Sequence, residues 1–316
     1  MKRIEWFFKK LYLNALTLAR YGRLRPDRAK LVRSQRHVYI DPADPCAWKK
    51  QVTDPLRGVY PRNQRFWREA CAKLAPDFAL DIGLNYGECA FAPDYGPGMQ
   101  VFGFEANTSL KPFLERTLAE HPQREQIHLV FGLVGDQPGK SVEFFVDRAW
   151  SGGSTAAGPG QGRDTGDFEK RTVPTVSVDG VLASSGKSPA PSTVVFKIDV
   201  EGFEARVLAG MKETIARSTD LLGLIEFDAA MLARAGEDVE AYWRFLHDTF
   251  HVHAFLRSDE LIDVRGWPME RLRPHFKRDH FHTDLLLVRS DAGSPVWRFV
   301  EAWPIASPKA ADGVSG

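Results

Sequence analysis

Residues 78–87 read Phe78-Ala79-Leu80-Asp81-Ile82-Gly83-Leu84-Asn85-Tyr86-Gly87. A short apolar run closed by a glycine-rich turn predicts a buried strand that hands the chain to the next element. Strands buried on both faces belong to parallel sheets. In open α/β sheets ligands bind beyond the carboxyl ends of the strands, near the point where strand order reverses. The residues just after each strand are therefore the ones that bear on function.

Working outward from this stretch, the same unit recurs. Val101–Phe104 predicts a strand ending at Glu105, Leu110–Glu120 a helix and Ile127–Phe131 the next strand. Val142–Val146 and Val173–Val178 carry strand-like residues, and the polar, glycine-rich Ser151–Gly166 between them predicts a loop. Val194–Ile198 is a buried-type strand, Phe203–Ala216 a helix, Leu221–Phe227 a strand and Val239–Thr249 a helix. Val252–Leu256 and Leu285–Val288 are the last strands. Strands alternating with helices predict an α/β fold, a mostly parallel sheet with helices on both faces. Upstream, apolar residues at Ile4, Phe7, Phe8, Leu11, Ala15 and Leu18 predict a helix over 4–20. Residues 21–63, rich in Arg, Pro and Asp, predict an extended connector with short turns. Residues 64–75 are helical again until Pro76.

The chain has 316 residues, 43% hydrophobic and 26% charged, the make-up of a globular protein with a sizeable core. Its net charge of +1 gives no global field for nucleic acid, and none is expected as a partner. The charge is uneven. Residues 1–33 hold ten Lys or Arg against Glu5 and Asp27, a local +8 that leaves −7 for the remainder. Three cysteines, Cys46, Cys71 and Cys89, form no CxxC pair, so neither a disulfide framework nor a zinc site fits them, and a cytoplasmic setting is expected. There is no run of about 18 apolar residues to span a bilayer. Leu11–Ala19 is interrupted by Asn14 and Thr17 and is not expected to act as a cleaved signal.

Three strand exits carry chemistry. After the first strand, Gly83 and Gly87 remove side chains where a ligand could approach backbone, Asp81 could hold a protonated amine, and Asn85 adds an amide. The dinucleotide fingerprint GxGxxG is absent, as is a phosphate-binding loop, so the turn suits a nucleoside without a pyrophosphate. The alternative is a tight strand-to-helix turn in which Asp81 only caps. After the second strand comes Phe104-Glu105-Ala106-Asn107, about twenty residues beyond the turn, where an acid can accept both ribose hydroxyls. After the Val194–Ile198 strand comes Asp199-Val200-Glu201-Gly202, with Lys197 alternating onto the same side. Three charges on so apolar a strand need partners, and the alternative is a buried Lys–carboxylate pair with helix-capping acids.

The runs DIGLNYG, FGFEAN, SVDGVL, FKIDVEGFEARVLAGMKETI and LIEFD together resemble the FkbM family of S-adenosylmethionine-dependent methyltransferases, over roughly residues 66–228. Leu84 stands where the family pattern has alanine. The resemblance implies a class I methyltransferase fold, Rossmann-like, with a seven-stranded mostly parallel sheet, plus an N-terminal helical extension. On that basis the chain divides into a basic helix and connector (1–63), a methyltransferase domain (64–290) and a partly disordered C-terminal tail (291–316). It implies S-adenosyl-L-methionine as cofactor, held by Asp81, Gly83, Asn85, Gly87, Glu105 and Asn107, with Gly132–Asp136 near the adenine. The expected reaction is methylation of a hydroxyl on a small-molecule or glycan acceptor, with Asp199 as leading base and Glu201 as second. A competing reading is a non-catalytic subunit that binds S-adenosylmethionine or a nucleoside within a glycan-processing assembly. A nicotinamide oxidoreductase is disfavoured by the missing third glycine.

No metal is assigned. Asp199, Glu201 and Glu226 offer hard oxygen ligands that suit magnesium, but nothing in the sequence demands it. His280, His282 and Asp284 alternate before the last strand, and His251 with His253 do likewise; both sets read as strand ends in preference to zinc ligands. Ser151–Gly166 is expected to be either a lid over the acceptor or an insertion without a role. The basic helix at 4–20 is expected to pack on the domain or on a second copy, with peripheral contact to an anionic membrane as the alternative. The sequence leaves the oligomeric state open.

Overall fold

The computed structural model describes residues 2–158, 167–186, 192–275 and 282–305. Its strands, in chain order, are β1 (Arg28–Lys30), β2 (His37–Tyr39), β3 (Phe78–Ile82), β4 (Gln100–Glu105), β5 (Ile127–Phe131), β6 (Leu133–Val134), β7 (Ser141–Asp147), β8 (Phe168–Val176), β9 (Thr193–Ile198), β10 (Asp220–Asp228), β11 (His251–Phe255), β12 (Leu261–Asp263) and β13 (His282–Arg289). Among the described residues the central sheet runs β12-β11-β13-β10-β9-β3-β4-β5. Strands β5, β4, β3, β9 and β10 are mutually parallel, and β13 inserts antiparallel between β10 and β11. This is the Rossmann-like methyltransferase architecture. The expected seven strands are present, and the three-residue β12 adds an eighth at the edge.

The chain leaves β3 toward β4 and β5, then returns to place β9 on the other side of β3. That reversal opens the crevice used by ligands in this architecture. Across it Asp81 and Lys197 are register partners. One hydrophobic cluster covers each face of the sheet, which is why β3 is buried at every position. Leu84, larger than the family's alanine, is accommodated because Gly103 on β4 has no side chain: a Cβ there would lie 2.9 Å from both Leu84 methyls.

Several elements depart from the sequence reading. Val142–Val146 and Val173–Val178 stay out of the main sheet and form, with β6, a separate three-stranded sheet. The second of these strands ends at Val176, because Ser177 caps the helix Val178–Ser184 by accepting from Gly180 N–H. The single helix expected over Phe203–Ala216 is two, Glu204–Ala209 and Lys212–Arg217. The break falls at Gly210, where a Cβ would sit 2.2 Å from the carbonyl oxygen of Gly135, and Asp179 accepts the N–H groups of Glu213 and Thr214 at the start of the second helix.

Residues 21–63 are more than an extended connector. Ala29, Leu31, Val38 and Ile40, from the β1–β2 hairpin and its flanks, join Ala47 and Val52 in the core cluster that holds Phe66 and Trp67 of the helix Arg62–Leu74. At the other end, the expected tail 291–316 contains the helix Pro295–Glu301, capped by Ser294. It buries Val296, Phe299 and Val300, with Phe299 edge-on to Phe66. The tail expected over 306–316 lies outside the described residues.

The N-terminal helix runs Lys2–Tyr21. Only its end packs: Thr17 is fully buried and Tyr21 rests on the core, whereas Phe7, Phe8, Leu11 and Tyr12 are 56–62% exposed. The domain thus leaves Phe7, Phe8, Leu11 and Tyr12 uncovered. No helix among the described residues is long and apolar enough to cross a membrane.

Candidate active site

The carboxyl ends of β3, β4 and β9 open into a cleft of about 740 Å³ counting its mouth, lined by Gly83, Asn85, Glu105, Asp199, Glu201 and Lys50 among others. Its first wall is the turn after β3. Gly83, Asn85 and Gly87 all have positive φ, at +82°, +51° and +80°. The glycines are required by the protein's own packing. A Cβ on Gly83 would lie 1.8 Å from the Asp199 carbonyl oxygen, and one on Gly87 would lie 2.3 Å from the Phe91 ring. Gly83 lines the cleft, whereas Gly87 turns its bare face to Phe91.

Glu105 clamps this turn to the exit of β4. Its Oε2 accepts the N–H of Asn85 and its Oε1 the N–H of Asn107, both at 2.7 Å. Burial pushes the Glu105 carboxyl up to about 7, against the pull of those two donors. Asn107 serves the loop: its Oδ1 accepts from Ser109 N–H and caps the short helix Thr108–Leu110. Gly132, Leu133 and Val134, after β5, line the cleft beyond Glu105.

Asp81 lies beneath the turn and is 1% exposed. Lys197 Nζ donates to the Gly83 carbonyl at 2.6 Å and stands 3.4 Å from Asp81 Oδ1 and 3.7 Å from Asp199 Oδ2. The contact with Asp81 is an ion pair without hydrogen-bond geometry; both Asp81 oxygens, and Asn85 Oδ1, are buried acceptors with no hydrogen-bond donor among the described residues. Burial pushes Asp81 up to about 6 despite the ammonium. Burial works against the charge on Lys197 too, but Asp81 and Asp199 outweigh it and hold the ammonium above its usual range.

The facing wall is acidic. Asp199 and Glu201 follow β9 and Glu226 sits on β10, with a carboxylate oxygen from each within 4.8 Å of the others. Three hard ligands so placed could hold a divalent cation. Burial, then repulsion from Glu226 and Asp199, raises Glu201 well above the usual carboxylate range. Glu226 is raised by burial and by Asp199, and His282 Nε2 meets its Oε1 at 2.8 Å. Glu204 caps the exit by accepting from the N–H groups of Val200 and Gly202 at 3.2 and 3.3 Å. Glu201 has φ +56°, and its carbonyl accepts from Thr155 Oγ1 at 2.9 Å, which ties the start of the 151–166 loop to this wall. Ser151, Gly152 and Ser154 line the cleft; residues 159–166 lie outside the description.

Lys50 was not legible in the sequence. It comes from the π-helical turn Trp48–Thr53, inside the stretch read as a connector, and reaches the cleft beside Glu88, Asp199 and Glu201. Burial disfavours its charge, yet Cys46, then Asp199, Glu88 and Glu201, keep it above its usual range. Such one-turn π segments often mark functional positions. Of the alternating set before the last strand, His282 is taken by Glu226 and Asp284 by Arg62 at 2.6 Å, while His280 lies outside the described residues.

Comparison with known proteins adds the family. The model for the methyltransferase FkbM domain matches residues 81–256. No curated protein matches the sequence significantly. Among solved structures, the chain is similar to the O-methyltransferase from Bacillus cereus in complex with SAH, at 9% identity and a TM-score of 0.41, over 73% of this chain and 82% of that one. It is also similar to the methyltransferase FkbM from Methylobacillus flagellatus, at 12% identity and a TM-score of 0.37, over 67% and 44% of the two chains. A third is the O-methyltransferase TomG from Streptomyces achromogenes, involved in tomaymycin synthesis and in complex with SAM, at 12% identity and a TM-score of 0.39, over 80% and 92%.

Proposed function

The chain belongs to the FkbM methyltransferase family, and on that premise we propose that it methylates a hydroxyl group of a small-molecule or glycan acceptor in the cleft at the ends of β3, β4 and β9. Its reaction is methyl transfer and its cofactor is S-adenosylmethionine. When bound, that cofactor supplies a methyl group already activated on a sulfonium.

The residues present fit this ligand. Each Glu105 oxygen uses one lone pair on a backbone N–H and keeps another for a ribose hydroxyl. Asn85, on the cleft wall, brings a buried acceptor oxygen with no donor among the described residues, suited to a hydroxyl or ammonium of an adenosyl amino acid, whereas Asp81 lies beneath the turn and backs it through Lys197. Gly83, Gly87 and Asn107 fix the path of the loop that carries these groups.

Asp199 is the base in this reading. Its side chain is 34% exposed, the most open of the Lys197, Asp81 and Asp199 set, and it faces the cleft. It takes the acceptor's hydroxyl proton on a carboxylate oxygen as the oxygen attacks. Glu201, on the same wall of the cleft, orients the acceptor hydroxyl through a hydrogen bond. Lys50 places a positive charge where the hydroxyl oxygen becomes nucleophilic.

The observation that carries the proposal is that the Glu105-clamped turn and Asp199 face one cleft. The test is transfer of a labelled methyl group from S-adenosylmethionine into extracts of candidate acceptors. Label fixed as a base-stable ether supports a hydroxyl acceptor. Label fixed on an amine, or no transfer by a chain that binds the donor, contradicts it.

The exposed row Phe7, Phe8, Leu11 and Tyr12, on a segment with a local charge of +8, supports peripheral contact with an anionic membrane surface. We place the protein in the cytoplasm on the same reading, with Cys46, Cys71 and Cys89 free and buried.

A further inference from the structure

We infer that the β11–β12 edge of the sheet carries a second site, for a divalent transition metal of the zinc class, held by His251, His253 and Asp263. His251 and His253 are two apart on β11, so both project from the same side of the strand. Asp263 on β12 is the register partner of His253. One ligand atom from each of the three lies within 4.8 Å of the others.

The spacing suits zinc. His251 Nε2 and Asp263 Oδ2 are 3.3 Å apart. Zinc bonds of about 2.0–2.1 Å at a tetrahedral angle place two ligands about 3.3–3.4 Å apart. The second observation is an orphaned nitrogen. His253 is 5% exposed, and its Nδ1 is buried with no hydrogen-bond partner among the described residues. Buried polar atoms left in that condition are rare and call for a ligand or a role. The two imidazoles stack at 4.9 Å between ring centres, and Trp297 walls them edge-on, 4.6 Å from His251 and 6.1 Å from His253.

Two neighbours shape the site. Arg265 pairs with Asp263, reaching Oδ2 through Nη2 at 2.8 Å and Oδ1 through its backbone N–H at 3.0 Å. With 64% of its side chain exposed, the guanidinium can leave Oδ2 to a cation while the backbone bond to Oδ1 stays. His247, on the helix Val239–Thr249, interacts electrostatically with His251 and Asp263, and its Nε2 is buried without a partner among the described residues.

The site stands apart from methyl transfer. His251 pairs with Val288, which pairs with Leu222 in the first third of β10, whereas the cleft lies beyond the opposite ends of β9 and β10. The short β12 is joined to β11 through only three register pairs among the described residues. A metal bridging the two strands would pin this edge, so its effect is on stability and not on turnover.

The test uses the full chain, stripped with a chelator and titrated with zinc chloride or cobalt chloride. We expect one equivalent of cobalt to give the visible absorption of a tetrahedral nitrogen–oxygen site, without a thiolate band, and to quench tryptophan fluorescence through Trp297. Zinc is expected to raise the melting temperature. His251→Gln and Asp263→Asn sit at more open positions than His253, and circular dichroism of each without metal checks that the fold is kept. Each is expected to weaken metal binding by at least about tenfold and to abolish the zinc-dependent rise in melting temperature, with methyl transfer unchanged. Failure of the unaltered chain to retain either metal at micromolar concentration would overturn the inference. So would equal affinity in both variants, or a cobalt spectrum dominated by thiolate.

Discussion

Lys197 and Asp81 face each other across the reversal of strand order, with Lys197 Nζ 3.4 Å from Asp81 Oδ1 and side-chain exposures of 6% and 1%. The pair sits under the floor of the cleft, and Lys197 also holds the Gly83 carbonyl. Removing one partner of a buried pair leaves an uncompensated charge, which typically costs about 3–5 kcal/mol. Lys197→Met is therefore expected to lower unfolding free energy by about 3 kcal/mol at pH 7. The loss should shrink below pH 5, where Asp81, titrating at about 6, is neutral. The double variant with Asp81→Asn should recover at least half of it. Denaturant titration of the unaltered chain and the two variants at both pH values checks this.

Glu105 binds the turn after β3 through two backbone N–H groups. Glu105→Gln keeps the shape but can satisfy only one of those donors with its single carbonyl oxygen. Hydrogen bonds to a charged group contribute about 1.5–3 kcal/mol. The variant is expected to bind S-adenosylmethionine about 10–100-fold more weakly. Calorimetric titration of the two proteins checks this.

Asp199→Asn is expected to reduce methyl transfer by about 10²–10⁴-fold, the range for loss of a general base. Cofactor affinity should stay within about threefold, because the Glu105 clamp is untouched. Lys50→Met should raise the KM for the acceptor and lower kcat, again with cofactor affinity retained. Steady-state kinetics combined with cofactor binding separates these outcomes from a general loss of structure.

Three buried acids give stability a defined pH dependence. Burial pushes Asp81 up to about 6 from the usual 3.8, and Glu105 and Glu204 up to about 7 and 8 from the usual 4.5. Each folded value is raised, so the protonated form is the one folding favours. Their stability is fully present below about pH 4 and is lost as pH rises through the folded values. Unfolding free energy should accordingly decline between pH 4.5 and 8. Glu204→Gln keeps an oxygen for the Val200 and Gly202 N–H groups. It should be near-neutral at pH 4, stabilise the chain at pH 8 by on the order of a few kcal/mol, and flatten the decline. Thermal melts across that range would show it.

The parts of this protein readable from sequence are those where one residue pattern has one structural solution. Phe78–Ile82 and Ile127–Phe131 are short apolar runs between clear turn signals, and both form strands at those limits. Glu105 and Asp199 are legible because carboxylates directly after apolar strands point to the ligand end of a parallel sheet. What was not legible depends on contacts between distant segments. The helix break at Gly210 is set by the Gly135 carbonyl, and no feature of residues 203–216 announces it. The glycine at 83 is readable as a turn, but the Asp199 carbonyl that requires it is not. Lys50 reaches the cleft only because a π-turn interrupts a segment without periodicity. The β1–β2 hairpin supplies core through strands of three residues each, too short for alternation to register.

In the proposed reaction the turn at 83–87 and the carboxylate at 105 grip an adenosyl sulfonium beside Asp199. Isothermal titration with S-adenosylmethionine, its demethylated product and NAD tests it most directly, on the unaltered chain, Glu105→Gln and Asp199→Asn. The account predicts one site that takes the first two ligands and not NAD, is weakened in Glu105→Gln and is preserved in Asp199→Asn. A chain that ignores both adenosyl ligands at millimolar concentration, or binds them equally well without Glu105, would contradict it.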